Sequence, residues 1–147
     1  EMNWELSVIG KERNTSFYQR LAEKHGIEKK VHFVGISHNV CEYYKLADAL
    51  VIPSIYDPFA NVTIEALAMG VRILSSKYNG AHEILSPING STISSLEDSK
   101  SFAEEIKGLF LQPKTFERAN SIRNSVKEFD FSKQLHKMVQ VSLDGKA

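Results

Sequence analysis

An α/β fold, with parallel strands joined by crossover helices, is what the 147 residues predict. Three observations lead to it. Short β-branched runs alternate with amphipathic helical stretches along the chain. Ala49 to Pro53 is an apolar run of the kind found in a strand buried on both faces. No repeat, low-complexity tract or linker breaks the alternation, and the length fits one ordinary domain, 1–147.

Trp4 to Ile9 is the expected first strand, ending at Gly10. Thr15 to His25 is the first helix, with Phe17, Leu21 and Ala22 on one face and Gly26 as its stop. Val31 to Val34 is strand two. His38 to Ala47 reads as a helix with Val40, Tyr43, Tyr44 and Ala47 inward, and Cys41 beside those aromatics reads as core. Ala49 to Pro53 is then the buried central strand. Val62 to Met69 is a helix, Val71 to Ser76 a strand, Ala81 to Leu85 a short helix and Gly90 to Ile93 a last weak strand. From Leu96 onward the pattern is helical: Ser101 to Leu111, then a piece restarted by Pro113 and running to about Phe129, then Phe131 to Val141.

Composition removes several function classes. Lys plus Arg and Asp plus Glu both number 18, so no global field draws in nucleic acid or an anionic bilayer, and any anion must be held locally. The single Cys41 excludes an internal disulfide, and no apolar run reaches membrane-spanning length, which together suggest a reduced, cytoplasmic chain. The opening EMNWELSVIG lacks the ordered regions of a signal peptide and reads as a strand. His25, His32, His38 and His136 show no metal spacing with Cys41 or with one another, and no Asp-x-Asp pair is present, so neither a metal nor a cofactor is expected.

In an open parallel sheet, ligands sit beyond the carboxyl ends of the strands. That rule selects Gly10 to Arg13, Gly35 to Asn39, Ser54 to Asn61 and Ser75 to Gly80. The third is richest. Pro58 and Asn61 bracket a turn into a helix, and the amides of Ala60, Asn61 and Val62 are expected to point unpaired from its amino end, where phosphate binds. Glu65 lies one turn in and leans back toward that end, while Asp57 stands on the approach loop. Carboxylates do not bind phosphate. They accept hydrogen bonds from hydroxyls, so two acids flanking an anion suit a nucleoside diphosphate sugar.

Val31-His32-Phe33-Val34-Gly35, Tyr43-Tyr44-x-x-Ala47-Asp48-Ala49, Ile52-Pro53-Ser54-x-Tyr56-Asp57-Pro58-Phe59 and Glu65-Ala66-Leu67-Ala68-x-Gly70 occur in that order. The ordered set resembles the group 1 (family four) retaining glycosyltransferases from about Trp4 to about Phe131, most of all the lipopolysaccharide- or capsule-type members, and lipopolysaccharide-type members carry the same YDPF. The resemblance implies a Rossmann-like parallel sheet flanked by helices, the carboxy-terminal, donor-binding half of a GT-B fold. In the family's acid-x7-acid motif, Glu65 would accept from ribose hydroxyls and Asp57 from the donor sugar. This chain has Asp57 where Glu is usual and Ala60 where Gly is common.

By the same resemblance Gly35 and Ile36 would pack against the nucleobase, Phe59, Ala60, Asn61 and Val62 would meet the diphosphate, and Gly80 in YNGAHE would approach the sugar. His82, Glu83 and Lys77 are expected at the surface or in caps. By the resemblance, the family's first strand of this domain, which brings a basic residue to the diphosphate, and the whole acceptor half are expected to be missing from these residues. The expectation is a fragment whose Lys11 and Arg13 are candidates for the positive charge and which transfers no sugar alone. The donor would be a UDP-sugar. The full-length enzyme would pass the sugar with retention to a glycan or lipid-linked acceptor held by the amino-terminal domain, in envelope polysaccharide synthesis, with peripheral association at the inner face of the membrane. Two alternatives stand beside this: a sugar-nucleotide epimerase half of the same fold, and a non-catalytic module that binds a protein partner through its carboxy-terminal helices.

Overall fold

A computed structural model describes residues 3–130 together with 133, 134, 136, 137 and 140. The chain divides into two compact units, Glu1–Glu42 and Tyr43–Ala147. In the first, strand β1 (Leu6–Ile9) pairs in parallel with β2 (Val31–Gly35), from Leu6 opposite Val31 to Ile9 opposite Gly35, with a register shift between Val8 and Ile9. Helix α1 (Thr15–Lys24) makes the crossover between them. It stops at Gly26, where the amides of Gly26 and Ile27 turn back to the carbonyls of Glu23 and Ala22 at 2.9 and 3.0 Å, satisfying carbonyls the helix leaves open. Of the face expected to pack, Ala22 is buried, whereas Phe17 and Leu21 stay 48% and 40% exposed.

Helix α2 (Val40–Leu46) leads into the second unit, which is built on a parallel ladder in the order β3 (Ala49–Ile52), β4 (Arg72–Ser76), β5 (Gly90–Ile93). Helix α3 (Asn61–Ala68) connects β3 to β4 and a 3-10 turn (Gly80–Ile84) precedes β5. The buried central strand is therefore β4 and not the Ala49 stretch. All five β4 residues are buried between two neighbours, while Ala49, Leu50 and Val51 of β3 are half-buried. Val71, Ile73, Leu74, Ala66 and Leu67 are fully enclosed. Each large side chain buried in this way contributes roughly 1.5–3 kcal/mol relative to exposure. Leu74, Ile93 and Leu109 also gather Ala49, Val51, Phe102 and Ile106 around them, which seats helix α4 (Ser99–Phe110) on the ladder.

The remaining differences are local. Helix α4 starts two residues before the expected Ser101, because Asp98 caps it, its Oδ1 accepting from the amides of Lys100 and Ser101 at 3.1 Å. Those bonds, the Ser101 hydroxyl first, hold the Asp98 carboxyl below its usual range. Helix α5 (Phe116–Ser125) starts at a Thr115 cap and not at Pro113, and ends before a separate 3-10 turn (Lys127–Phe129). The segment after Pro113 is occupied otherwise: Lys114 Nζ donates to the carbonyls of Tyr44, Lys45 and Ala47, binding the chain to the end of α2. Of the inward face expected for α2, Tyr44 is buried and Val40 and Tyr43 are half-buried. Cys41, expected in the core, is exposed, since it lies on the solvent side of Tyr44, away from the arc shared by Val40, Tyr43, Tyr44 and Ala47. Much of the expected Phe131 to Val141 helix lies outside the described residues; Lys133, Gln134, His136, Lys137 and Gln140 are helical. Among the described residues no helix is long and apolar enough to cross a membrane.

Candidate functional site

The loop from β3 to α3 is held against the loop that follows β4. Asp57 N donates to Tyr78 O at 3.0 Å and Gly80 N donates to Asp57 O at 2.9 Å, so Asp57 and Asn79 form a parallel bridge beyond the ends of the two strands. Asp57 Oδ1 accepts from the amide of Phe59 at 3.0 Å, an Asx turn that directs the chain into α3. Gly80 is required here by space. A Cβ on it would lie 2.0 Å from the carbonyl oxygen of Pro58, well inside van der Waals contact.

The amino end of α3 differs from the expectation in one respect. Ala60 caps the helix without a side-chain bond of its own, yet its amide is not free: it donates to Asn79 Oδ1 at 3.0 Å. The buried carboxamide of Asn79 needs partners, and this amide is one. The amides of Asn61 and Val62 meet no acceptor among the described residues, so two of the three expected donors remain for a ligand. One turn on, the exposed carboxylate of Glu65 receives the Tyr44 hydroxyl on Oε2 at 3.1 Å. Tyr44 is 5% exposed, so a ring fixed in the core orients one oxygen of Glu65 and leaves the other to solvent.

This unit thus places Asp57, Phe59, Ala60, Asn61, Val62, Glu65 and Gly80 on one loop, one helix start and one neighbouring turn. Lys77 and Tyr78 are exposed, with the Lys77 ammonium 5.2 Å from the Tyr78 ring centroid. His82 lies on the same turn and donates from Nδ1 to Asn79 O at 2.8 Å. In the first unit, Lys11, Gly35 and Ile36 line a cavity of about 250 Å³ with Val8, Gly10 and Phe33, and Gly10 N donates to Gly35 O at 2.8 Å. Arg13 does not line that cavity, so of the two candidate cations only Lys11 is brought to it. No group of three or more His, Cys, Asp or Glu side chains among the described residues could hold a metal.

Asn79 and Tyr44 were not among the residues anticipated for the site. Asn79 carried a signal, since Asn-Gly after a strand marks a turn, although not the number of partners its side chain takes. The pairing of Tyr44 with Glu65 spans 21 positions and leaves no mark in the sequence.

A Rossmann-like α/β frame, its polar groups collected in loops at the carboxyl ends of parallel strands, is the class of protein that these features define. The chain belongs to the group 1 glycosyl transferases, whose family model matches residues 1–129. The lipopolysaccharide glucosyltransferase WaaG of Escherichia coli K12 is 30% identical over 88 residues, covering 60% of this chain and 23% of WaaG. Among solved structures, the apo lipopolysaccharide outer core galactosyltransferase WaaB superposes with a TM-score of 0.82 at 19% identity, over 99% of this chain and 42% of that one. Anabaena HepE in complex with UDP-glucose superposes with a TM-score of 0.75 at 20% identity, over 94% of this chain and 41% of HepE. The fold is that of half a GT-B glycosyltransferase, and the chain spans less than a third of the length of the curated relatives it matches.

Proposed function

We propose that this chain is the donor-binding half of a retaining glycosyltransferase and holds a nucleoside diphosphate sugar at the amino end of α3. The observation that carries the reading is the arrangement along one helix: two amides, at Asn61 and Val62, that meet no acceptor among the described residues, then, one turn on, a Glu65 carboxylate oriented by Tyr44. Amides suit the diphosphate, and a fixed carboxylate suits a pair of ribose hydroxyls. Asp57, one oxygen of which already braces the loop, would accept from the donor sugar with the other. Charge growing on the departing diphosphate would be stabilised by the helix amides together with a cation, so no side chain need act as nucleophile. Lys11, Arg13, Gly35 and Ile36 belong to the first unit, and their roles toward the nucleotide are proposed on the family resemblance alone.

UDP is the proposed nucleotide because HepE, of the same fold, is known in complex with UDP-glucose. The WaaG likeness supports a glycan or lipid-linked acceptor in envelope polysaccharide synthesis. That acceptor would be held by an amino-terminal domain, with the full-length enzyme at the inner membrane face. Glu65→Ala tests the reading. Loss of two bonds to a charged acceptor, each worth about 1.5–3 kcal/mol, should lower UDP affinity at least about tenfold by calorimetry. Unchanged affinity in a folded variant would refute it.

A further inference from the structure

The side chain of Asn79 is fully buried, and each of its hydrogen-bonding capacities is taken. Oδ1 accepts from the amides of Ala60 at 3.0 Å and Ala81 at 3.1 Å, while Nδ2 donates to Ser75 Oγ at 2.9 Å and to Thr63 Oγ1 at 3.5 Å. The four partners stand on four segments: the end of the β3–α3 loop, the first turn of α3, strand β4 and the 3-10 turn after it. The Asn79 backbone is equally occupied, its carbonyl accepting from His82 N at 2.9 Å and from His82 Nδ1 at 2.8 Å. A carboxamide satisfied in this way cannot rotate without stranding several buried groups at once.

We propose that Asn79 is the positioning residue for the diphosphate: by taking up the Ala60 amide from inside the fold, it directs the first free donors of α3, Asn61 and Val62, at the anion and fixes where the anion sits. A cap without this bond would leave three loosely held amides. With it, the helix start is tied to β4, the most enclosed strand of the unit. The proposal rests on the donor-site reading, since it assigns what places that site's amides. It also separates two uses of α3. Asn79 governs the phosphate end, while Glu65, held independently by Tyr44, governs the ribose.

That separation supplies the test, with UDP and uridine as probes and binding followed by NMR titration at a temperature where each variant is fully folded. Asn79→Ala should lower UDP affinity about fivefold to tenfold while changing uridine affinity by less than about twofold. Amide exchange at Ala60 and Ala81 should quicken by at least about tenfold in the same variant. Asn79→Asp, which keeps oxygens to accept from both amides, should hold their exchange near the wild-type rate. Should Asn79→Ala fail to fold, Ser75→Ala removes one anchor of the carboxamide and should shift the UDP to uridine ratio in the same direction, by about twofold. An unchanged ratio in folded Asn79→Ala or Ser75→Ala, or unchanged exchange at Ala60 and Ala81 in Asn79→Ala, overturns the proposal. Glu65→Ala should weaken both probes together; if it weakens neither, the donor-site reading has failed, and the exchange rates still decide whether Asn79 holds the helix start.

Discussion

Gly35 closes β2 and Gly80 follows β4, and the two glycines meet opposite demands. Gly35 has φ +77°, a conformation that L side chains rarely adopt, yet a Cβ there would meet nothing within 4 Å. Gly80 needs room and not conformation: its Cβ would fall on the Pro58 carbonyl. The loops around them differ in the same sense. The first unit's loop opens onto a cavity, with Ile36 66% exposed and a backbone bond from Gly10 to Gly35 as its brace. The second unit's loop is fixed from beneath by the saturated Asn79 side chain. The first loop presents its backbone and one apolar side chain at an open cavity, whereas the second holds its amides in place from inside the fold.

The strongest way to break that comparison is Gly80→Ala. The atom in the way is backbone, so relief requires the Asp57 loop and the turn at Asn79 to separate, with loss of the Gly80 to Asp57 bond. A cost of about 3 kcal/mol is expected, read as a lowered urea midpoint, with UDP affinity lost in the folded fraction. A variant as stable as the parent would show that the two loops are not locked.

How far the sequence reveals this molecule follows the same division. Strands β1, β2, β4 and β5 and helices α1 and α3 were legible to within a residue or two, because periodicity and β-branching are local properties. The placement of Asp57 on the approach loop and of Glu65 one turn into α3 was legible because their spacing straddles a loop and a helix start. What stayed hidden depended on distant partners. Ala60 N reaches Asn79 across 19 positions, so the amide counted as free was already taken. Lys114 reaches the end of α2 from 67 to 70 positions away, and α5 begins only after it, at the Thr115 cap, and not at Pro113. The strand most enclosed was misjudged because Ala49 to Ile52 is apolar throughout, while burial is decided by ladder order, which places β4 between two neighbours.

Gly35→Ala sharpens the comparison with a smaller effect. With open space around the Cβ, the cost is the left-handed conformation alone, about 1 kcal/mol. The loop can relieve part of it by shifting into the cavity. Urea denaturation should show this modest loss, and amide exchange at Ala60 and Ala81 should be unchanged. A loss as large as that of Gly80→Ala would mean that the first unit's loop is as constrained as the second's.

The smallest effect on nucleotide binding belongs to Asp57→Asn. Asn retains an Oδ1 that can accept from the Phe59 amide, so the Asx turn and the approach to α3 should persist. The backbone bonds of residue 57 to Tyr78 and Gly80 do not involve the side chain at all. UDP affinity should therefore stay within about twofold of wild type, against the tenfold loss at Glu65. What changes is charge. The carboxylate proposed to accept from a sugar hydroxyl becomes a neutral amide, a weaker acceptor for a bond that matters only when the sugar is present. In an enzyme carrying both domains, turnover should fall while UDP inhibits as before. Equal losses in UDP affinity and in turnover would instead make Asp57 a residue that shapes the loop, and the contrast between a braced backbone and a free carboxylate oxygen would no longer hold at this position.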